Sequence, residues 1–234
     1  MIELGEIKTY STKLFDLILP RFCCSCKTKL LTNEDTICQI CFCKIQPASE
    51  DRLKSEFERK FLNKNIISDF FAPFVFEKDK ELQHAIHSLK YNNKFQVGIF
   101  LGKVLADKIQ STQSNWKIDL IIPIPLHQLK KAERGYNQSY YIAKGMSKIL
   151  KVTCSDRIVK RKKYTESQTT MTLTERQENI SDAFKIRNKN AVKEKTILLI
   201  DDVITTGATI SECGSILLES GAKKIFAASI AIAD

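Results

Sequence analysis

Apolar runs alternate with amphipathic stretches from about residue 66 to residue 234, and this rhythm predicts a parallel α/β sheet. Short apolar runs predict strands over residues 70–76, 118–123, 196–200 and 224–233. The run over 196–200 is aliphatic throughout, which is typical of a central strand buried on both faces. Apolar positions three and four residues apart predict helices over residues 80–90, 97–109, 138–150 and 208–220.

The composition changes along the chain and indicates three zones. Residues 1–48 hold a cluster of cysteines behind a short apolar lead segment. Residues 49–65 are charged and poor in aliphatic side chains, which predicts a helical connector. Residues 66–234 carry the alternating α/β pattern. We therefore expect a small N-terminal module, a connector and one main domain.

The formal net charge is +10, from 37 Lys and Arg against 27 Asp and Glu. Such a charge favours nucleotides, diphosphates, nucleic acid or membrane headgroups as partners, although a solvated basic surface without a single partner explains it equally well. No apolar run approaches the ~20 residues of a membrane-spanning helix, so no integral membrane segment is expected. The N-terminal segment is a poor secretory signal, and we predict a cytoplasmic protein.

Four cysteines have the spacing of a structural zinc site. Cys23, Cys26, Cys38 and Cys41 form a C-x₂-C-x₁₁-C-x₂-C pattern, in which each pair can place both sulfurs on one tetrahedral ion. Cys24 or Cys43 could replace a neighbouring ligand. Reduced structural cysteines or an iron–sulfur cluster are the alternatives to Zn²⁺. The metal would hold together a segment too small to fold by itself.

Two adjacent acids follow the strand predicted over residues 196–200. Asp201 and Asp202 stand at its carboxyl end, where open α/β sheets bind their ligands. Their carboxylates are suited to accept hydrogen bonds from a vicinal ribose diol. Either one could also help to hold a Mg²⁺ that is bridged by substrate oxygens.

The next residues, 205–209, which we name the phosphate loop, have the composition of a monophosphate cradle. Thr205, Thr206 and Thr209 offer hydroxyl donors, and Gly207 permits a positive φ and a close approach of backbone amides to an anion. Ala208 begins a predicted helix whose amino end adds partial positive charge. No P-loop or dinucleotide-binding motif occurs. The alternative is a strand-to-helix turn in which Thr and Asp act only as caps.

Two basic segments are further candidates for anion binding. Lys130, Lys131 and Arg134 follow a proline-stiffened strand end and could hold a pyrophosphate, or could form a solvated turn. Residues 160–184 begin with four basic residues, among them Arg161 and Lys163, and are almost free of aliphatic side chains. A segment of this length and polarity predicts a lid over a diphosphate or a disordered insertion.

The motifs resemble those of a known family. ILLIDDVITTGAT looks like the PRPP-binding signature of type I phosphoribosyltransferases. With IIPIPLHQLKKAERGYNQ, YTESQTTMTLTERQENISDAF and the helix around residues 85–91, the whole chain resembles the ComF family of competence-associated proteins. The resemblance implies an α/β fold with a type I phosphoribosyltransferase-like parallel sheet flanked by helices, and a small N-terminal four-cysteine module holding structural Zn²⁺.

The resemblance also implies a ligand, which is PRPP or a related phosphoribosyl compound bound together with Mg²⁺. The implied contacts are Asp201, Asp202, Thr205, Thr206, Gly207, Ala208 and Thr209. Arg134, Arg161 and Lys163 are the implied diphosphate and lid residues, and Lys163 stands where the family usually has arginine, so the bidentate fork for phosphate is lost there.

The implied setting is competence and DNA uptake, with single-stranded DNA and a competence helicase as partners. The sequence leaves open whether the protein catalyses phosphoribosyl transfer from PRPP, because no element for recognising an acceptor base is evident in it. The alternative is a housekeeping amidophosphoribosyltransferase or nucleobase phosphoribosyltransferase of purine or pyrimidine metabolism.

Overall fold

A computed structural model describes residues 19–162 and 183–233 of the chain. The helices are α1 (Gln39–Cys43), α2 (Glu50–Lys60), α3 (Glu81–Tyr91), α4 (Phe95–Thr112), α5 (Gln128–Arg134), α6 (Gln138–Leu150) and α7 (Ala208–Glu219). The strands are β1 (Asp69–Phe71), β2 (Phe74–Val75), β3 (Leu120–Pro123), β4 (Val159–Arg161), β5 (Phe184–Ile186), β6 (Thr196–Ile204) and β7 (Lys224–Ile232).

The centre of the molecule is a parallel sheet in the order β1-β7-β6-β3, with β2 also paired to β7. The predicted parallel α/β sheet is thereby confirmed. β6 lies between β3 and β7, and its residues 197–200 are fully buried, as expected for an unbroken aliphatic strand at the middle of a sheet. β4 and β5 form a separate antiparallel pair.

Helices cover both faces of this sheet. Leu198 and Ile200 of β6 join an apolar cluster with α3, α4 and α6, whereas Ile197 and Leu199 join a second cluster with α7 and the β4–β5 pair. Alternate residues of a strand face opposite sides, so one strand supplies both cores. The carboxyl ends of β3, β6 and β7 meet at one edge of the sheet, and the predicted site residues Asp201 and Asp202 lie at this edge.

Helices α4 and α6 approach each other at the level of the backbone. A Cβ atom on Gly102 would lie 2.0 Å from the carbonyl oxygen of Ile142, and one on Gly145 would lie 2.2 Å from that of Ile99. Both distances are far below van der Waals contact, so only glycine is compatible with this packing.

The charged connector is helical, as predicted. Ser49 caps α2 by accepting a hydrogen bond from the Arg52 amide at 3.3 Å. Acids in the first turn and bases in the last turn of α2 complement the helix dipole. The division into residues 1–48, 49–65 and 66–234 stays a prediction.

Two predicted strands differ from the observed ones. The strand predicted over residues 70–76 is split into β1 and β2 around Pro73, which has no amide to donate to a ladder. The strand predicted to end at Ile200 continues to Ile204, because Asp201 and Val203 keep their register with β7. Asp201 and Asp202 thus lie within the carboxyl-terminal half of β6 and do not follow it.

Two basic segments have regular structure where loops were predicted. Residues 128–134 form the short helix α5, which ends at Gly135 with a φ of +76°. Lys160 and Arg161 belong to β4 and pair with Lys185 and Phe184 of β5, so the lid predicted over residues 160–184 begins and ends in a two-stranded stem. The remainder of that lid lies outside the described residues.

Within the two described ranges, no helix has the length and apolar character that crossing a membrane requires.

Candidate functional site

Asp201 and Asp202 lie among polar partners at the carboxyl end of β6. Oδ1 of Asp201 accepts hydrogen bonds from the Ser139 hydroxyl at 3.0 Å and from the Asp202 amide at 2.9 Å. Asp202 is 5% exposed and forms an ion pair with the ammonium of Lys90 from α3. The two acids therefore have different neighbours although they are adjacent in sequence.

The start of α6 is fixed to the neighbouring strand by Asn137. Its side-chain oxygen caps the helix by accepting from the Ser139 amide at 3.1 Å, and its Nδ2 donates to the Ile124 carbonyl at 2.9 Å, directly after β3. Asn137 is itself buried, so both bonds are shielded from water. This cap places the Ser139 hydroxyl against Asp201.

The pKa values of the two acids are shifted in opposite directions. Burial raises the pKa of Asp201, and the adjacent Asp202 carboxylate raises it further. Burial also acts to raise the pKa of Asp202, but the Lys90 ammonium outweighs it and holds that pKa below its usual value. The same ion pair raises the pKa of Lys90 against the effect of its own burial. Asp202 is accordingly the carboxylate that keeps its negative charge.

The phosphate loop follows these acids at the amino end of α7. Gly207 has a φ of +73° and is the N-cap of the helix, and Thr205 at the start of the loop is exposed. The Ala208 amide lies 3.4 Å from the Thr206 hydroxyl oxygen. The first-turn amides of a helix lack intrahelical acceptors, so this end can receive an anion.

Four basic side chains from three other elements gather at this edge of the sheet, and three of them, Lys90, Arg134 and Arg161, interact electrostatically with the acids. Lys90 comes from α3, Lys130 and Arg134 from α5, and Arg161 from β4. Burial and then repulsion by Arg134 and Arg161 lower the pKa of Lys130. Asp201 counteracts the effect of burial on the pKa of the Arg161 guanidinium. The residues predicted to hold a diphosphate, Arg134 and Arg161, thus lie in the electrostatic range of the predicted ribose contacts.

Arg134 is itself oriented by two contacts. Its Nη1 donates to the Gln138 side chain at 3.1 Å, and its guanidinium carbon is 5.3 Å from the centre of the Tyr91 ring. Lys163, the third predicted diphosphate residue, lies outside the described residues.

The donor set at this edge fits Mg²⁺ in part. Asp201 and Asp202 offer carboxylate oxygens, which are the ligands Mg²⁺ prefers, and this ion commonly takes its remaining ligands from water and substrate phosphates. Among residues 19–162 and 183–233, no group of three acids or histidines gathers here. Mg²⁺ would therefore bind with the diphosphate of a ligand, whose charge it would neutralise.

The four predicted cysteine ligands form one cluster. The sulfur atoms of Cys23, Cys26, Cys38 and Cys41 all lie within 4.8 Å of one another. The Sγ atoms of Cys26 and Cys38 are 3.7 Å apart. Four sulfurs at ~2.3 Å from a tetrahedrally coordinated zinc are roughly 3.8 Å from each other, so the donor set fits Zn²⁺.

The thiol pKa values show what a metal would have to overcome. Burial raises the pKa of Cys41 to about 12, and burial also raises that of Cys38. At Cys26, a hydrogen bond with the Thr28 hydroxyl at 3.3 Å lowers the pKa to about 6. The lowered pKa of Cys26 favours its thiolate, whereas Cys38 and Cys41 require a divalent cation to lose their protons.

The two spare cysteines stand outside this cluster. Cys24 is buried in the apolar core, where burial raises its pKa to about 12. Cys43 is exposed, and its sulfur lies 3.3 Å from the Gln39 side-chain amide. His84 and His87 also lie outside this cluster and are exposed on α3.

Three polar residues at the site carry no local sequence signal. Lys90, Ser139 and Lys60 all contact the acids or the phosphate loop through the tertiary fold. Lys90 belongs to the segment 85–91 that resembles the family's early helix, and this resemblance was the one signal that pointed to it.

A basic cavity of about 500 Å³ adjoins the site between α5, α6 and β4. Its lining carries five basic side chains and one acid, and the basic ones are Lys131, Arg157, Lys160, Arg161 and Arg187. Arg161 is shared between this cavity and the surroundings of Asp201.

Comparison with known proteins adds a family and several relatives. The family model for the phosphoribosyl transferase domain matches residues 99–233. The chain is similar to Competence protein F of Haemophilus influenzae, with 31% identity over 60% of this chain and 63% of that protein. It is also similar to the DNA utilization protein YhgH of Shigella flexneri, with 28% identity over 62% of this chain and 64% of that protein.

A third relative matches over a longer stretch. Competence protein ComFC of Bacillus subtilis is 25% identical over 86% of this chain and 79% of its own length. The matches to Competence protein F and YhgH each span slightly less than two thirds of those proteins.

Proposed function

Because the chain belongs to the phosphoribosyl transferase domain family and is a ComF-family member, we propose that the carboxyl edge of its sheet binds PRPP or a closely related phosphoribosyl compound. Asp201 and Asp202 would receive the ribose hydroxyls. The phosphate loop, with Thr205 to Thr209, would hold the 5′-phosphate. Arg134, Arg161 and Lys163 would face the diphosphate, and Mg²⁺ would neutralise part of its charge.

One observation carries this proposal. Two acids with opposed pKa shifts precede, in the same segment, a positive-φ glycine and a helix amino end, and Lys90, Arg134 and Arg161 interact with them electrostatically. A turn whose Asp and Thr residues served only as caps would not require Lys90 and Ser139 to converge on the carboxylates. Hydroxyl acceptors, an anion cradle and cations within one edge of a sheet match the three parts of PRPP.

The reaction that this arrangement could support is phosphoribosyl transfer. The bond between C1 of the ribose and the pyrophosphate oxygen would break while a base or amine forms a new bond to C1. The chain's own cations would stabilise the departing pyrophosphate, and transition-state charge of this kind is where fixed cations help most. A housekeeping amidophosphoribosyltransferase or nucleobase phosphoribosyltransferase is the alternative role for the same site.

Calorimetric titration of the full chain with PRPP tests the binding proposal. We expect saturable binding that strengthens when Mg²⁺ is present. Release of pyrophosphate with one member of a panel of bases and amines would identify a transferase, and binding without release would identify a non-catalytic PRPP protein. Absence of saturable heat from PRPP, with and without Mg²⁺, would contradict the proposal.

We also propose a role with DNA in the cytoplasm, in competence or DNA utilization. The names of the relatives point to this setting, and the basic cavity provides a specific surface for it. Arg157 and Arg187 line the cavity and are exposed, so a phosphodiester backbone could reach both. A competence helicase is the protein partner that we predict in the same role.

The salt dependence of single-stranded DNA binding tests this second role. Replacing Arg157 and Arg187 by alanine is expected to reduce the slope of log affinity against log salt by about 0.7 for each lost phosphate contact. Lys144 and Lys148, exposed on α6, provide a control double alanine variant with the same change in charge. Equal slopes in both variants, or no DNA binding by the native chain, would count against a DNA site in this cavity.

A further inference from the structure

Lys60, the last residue of α2, contacts the backbone of the phosphate loop. Its ammonium donates to the carbonyl oxygen of Thr205 and, at 3.0 Å, to that of Ala233 after β7. The side chain is 3% exposed, and its charge is paired with the Glu56 carboxylate at 3.0 Å, one turn earlier on the same helix. One buried cation thus ties the connector helix to the ends of β6 and β7.

Burial of a lysine is costly unless the charge is paired and its donors are satisfied. Two of the acceptors of Lys60 are backbone carbonyl oxygens just after β6 and β7. The ammonium therefore fixes the main chain there as well as pairing with a side chain. In a trans peptide the C=O and the next N–H point in opposite directions. A Thr205 carbonyl turned toward Lys60 therefore directs the Thr206 amide away from Lys60, toward the outer side of the loop.

Phe61 supports the next turn of the same loop. Its ring is 1% exposed and packs against Phe70, with ring centres 5.6 Å apart. A Cβ atom at Gly207 would lie 2.7 Å from Cε1 and 2.9 Å from Cζ of this ring. The aromatic ring thus occupies the space beside Gly207 and closes the inner side of the turn at φ +73°.

We propose that Lys60 is a positioning residue of the ligand site and that it sets, with Phe61, the backbone conformation of the phosphate loop for a 5′-phosphate. Helix α2 precedes the segment matched by the family model, so part of the phosphate subsite is built from outside that segment. The inference rests on the proposed function for the identity of the ligand. The contacts of Lys60 with the loop do not depend on that identity.

Replacing Lys60 by methionine tests the proposal with two fragments of PRPP as probes. We expect affinity for ribose 5-phosphate, which requires the phosphate loop, to fall about tenfold or more. The variant loses the hydrogen bond from the charged ammonium that holds the Thr205 carbonyl in place. Affinity for pyrophosphate is expected to stay within about twofold, because Lys60 holds the backbone of the phosphate loop, whereas the proposed diphosphate residues Arg134 and Arg161 belong to α5 and β4. General damage to the fold would weaken both fragments together.

Lys54→Met is the matched control, because Lys54 is exposed on the same helix. It should leave both affinities unchanged. Phe61→Leu, a milder change, should weaken ribose 5-phosphate selectively in the same way and covers the case in which Lys60→Met does not fold. Equal affinity of Lys60→Met and the native chain for ribose 5-phosphate would overturn the proposal.

Amide hydrogen exchange separates this proposal from the proposed function. In the ligand-free protein, Lys60→Met should speed exchange at residues 205–209 by about tenfold or more while Lys54→Met leaves it unchanged. If the native chain binds neither fragment, the proposed function fails, and this exchange measurement alone decides the role of Lys60. Unchanged exchange in the loop would then refute that role.

Discussion

Replacing Asp202 by asparagine is expected to weaken PRPP binding about tenfold to a hundredfold and to destabilise the fold. Asparagine keeps the shape of the side chain but removes the charge that pairs with Lys90, whose side chain is 24% exposed. Removing one partner of a buried ion pair costs roughly 3–5 kcal/mol, and the partial exposure of Lys90 places the expected loss at the lower end. Unfolding by urea measures this loss.

The affinity should fall further than the stability effect alone explains. Hydrogen bonds to a charged acceptor contribute roughly 1.5–3 kcal/mol each, so losing the charge beside a ribose hydroxyl is expected to weaken binding about tenfold to a hundredfold. Calorimetry with PRPP and Mg²⁺ measures it under conditions where the variant is folded.

Two further variants separate charge from shape. Lys90→Met leaves the Asp202 carboxylate but removes the ammonium that keeps its pKa low. The pKa of Asp202 should therefore rise in this variant. As the pH falls toward that pKa, we expect PRPP binding to weaken more in the variant than in the native chain. Asp107→Asn, an exposed residue on α4, should behave as the native chain does. Native affinity in Asp202→Asn would exclude this carboxylate from the ligand site.

We propose that the four-cysteine cluster holds Zn²⁺, and removal of this ion is expected to unfold the whole protein and not only its N-terminal segment. Cys23, Cys38 and Cys41 share one apolar cluster with residues of α3 and α4, such as Leu89 and Leu105. Structural zinc in small peptides binds with an apparent ~10–16 kcal/mol, which is comparable to the ~5–15 kcal/mol stability of a typical domain. A chelator should therefore produce a single cooperative loss of structure.

Metal analysis of two serine variants checks the assignment. Cys38→Ser should lose the zinc and lower the thermal midpoint strongly. Cys43→Ser, which changes an exposed cysteine outside the cluster, should retain one zinc per chain. A full zinc content in Cys38→Ser, or a separate low-temperature transition confined to the N-terminal segment, would contradict this account.

The elements predicted most accurately are those whose sequence pattern is local. The α6 helix over residues 138–150 matches its prediction, and the four cysteines chosen by spacing gather in one cluster. Both patterns depend on neighbours within a few residues or on short paired motifs. The acids and the glycine before α7 likewise lie in one continuous segment, and their role as ligand contacts stays a prediction.

The features that were predicted wrongly or missed depend on contacts between residues that are far apart in the chain. β6 extends through Asp201 because β7 offers it a register partner, and no residue near Asp201 encodes that pairing. Lys60 lies 145 residues from Thr205 in the chain, so no motif joins them. Lys90 and Ser139 were not predicted as site residues, because the acids that they contact lie far from them in the chain.

The glycine contact between α4 and α6 has a consequence for motion at the site. With Gly102 and Gly145 each pressed against a backbone carbonyl, the two helices have almost no freedom to slide or rotate against each other. Ser139 is the second residue of α6, less than two turns before Gly145, so this contact keeps its hydroxyl in range of Asp201. Adaptation to a ligand must then fall to the loops, while α6 acts as a fixed frame. A single methyl group at Gly145, far from any ligand, would shift that frame and with it the alignment of the acids.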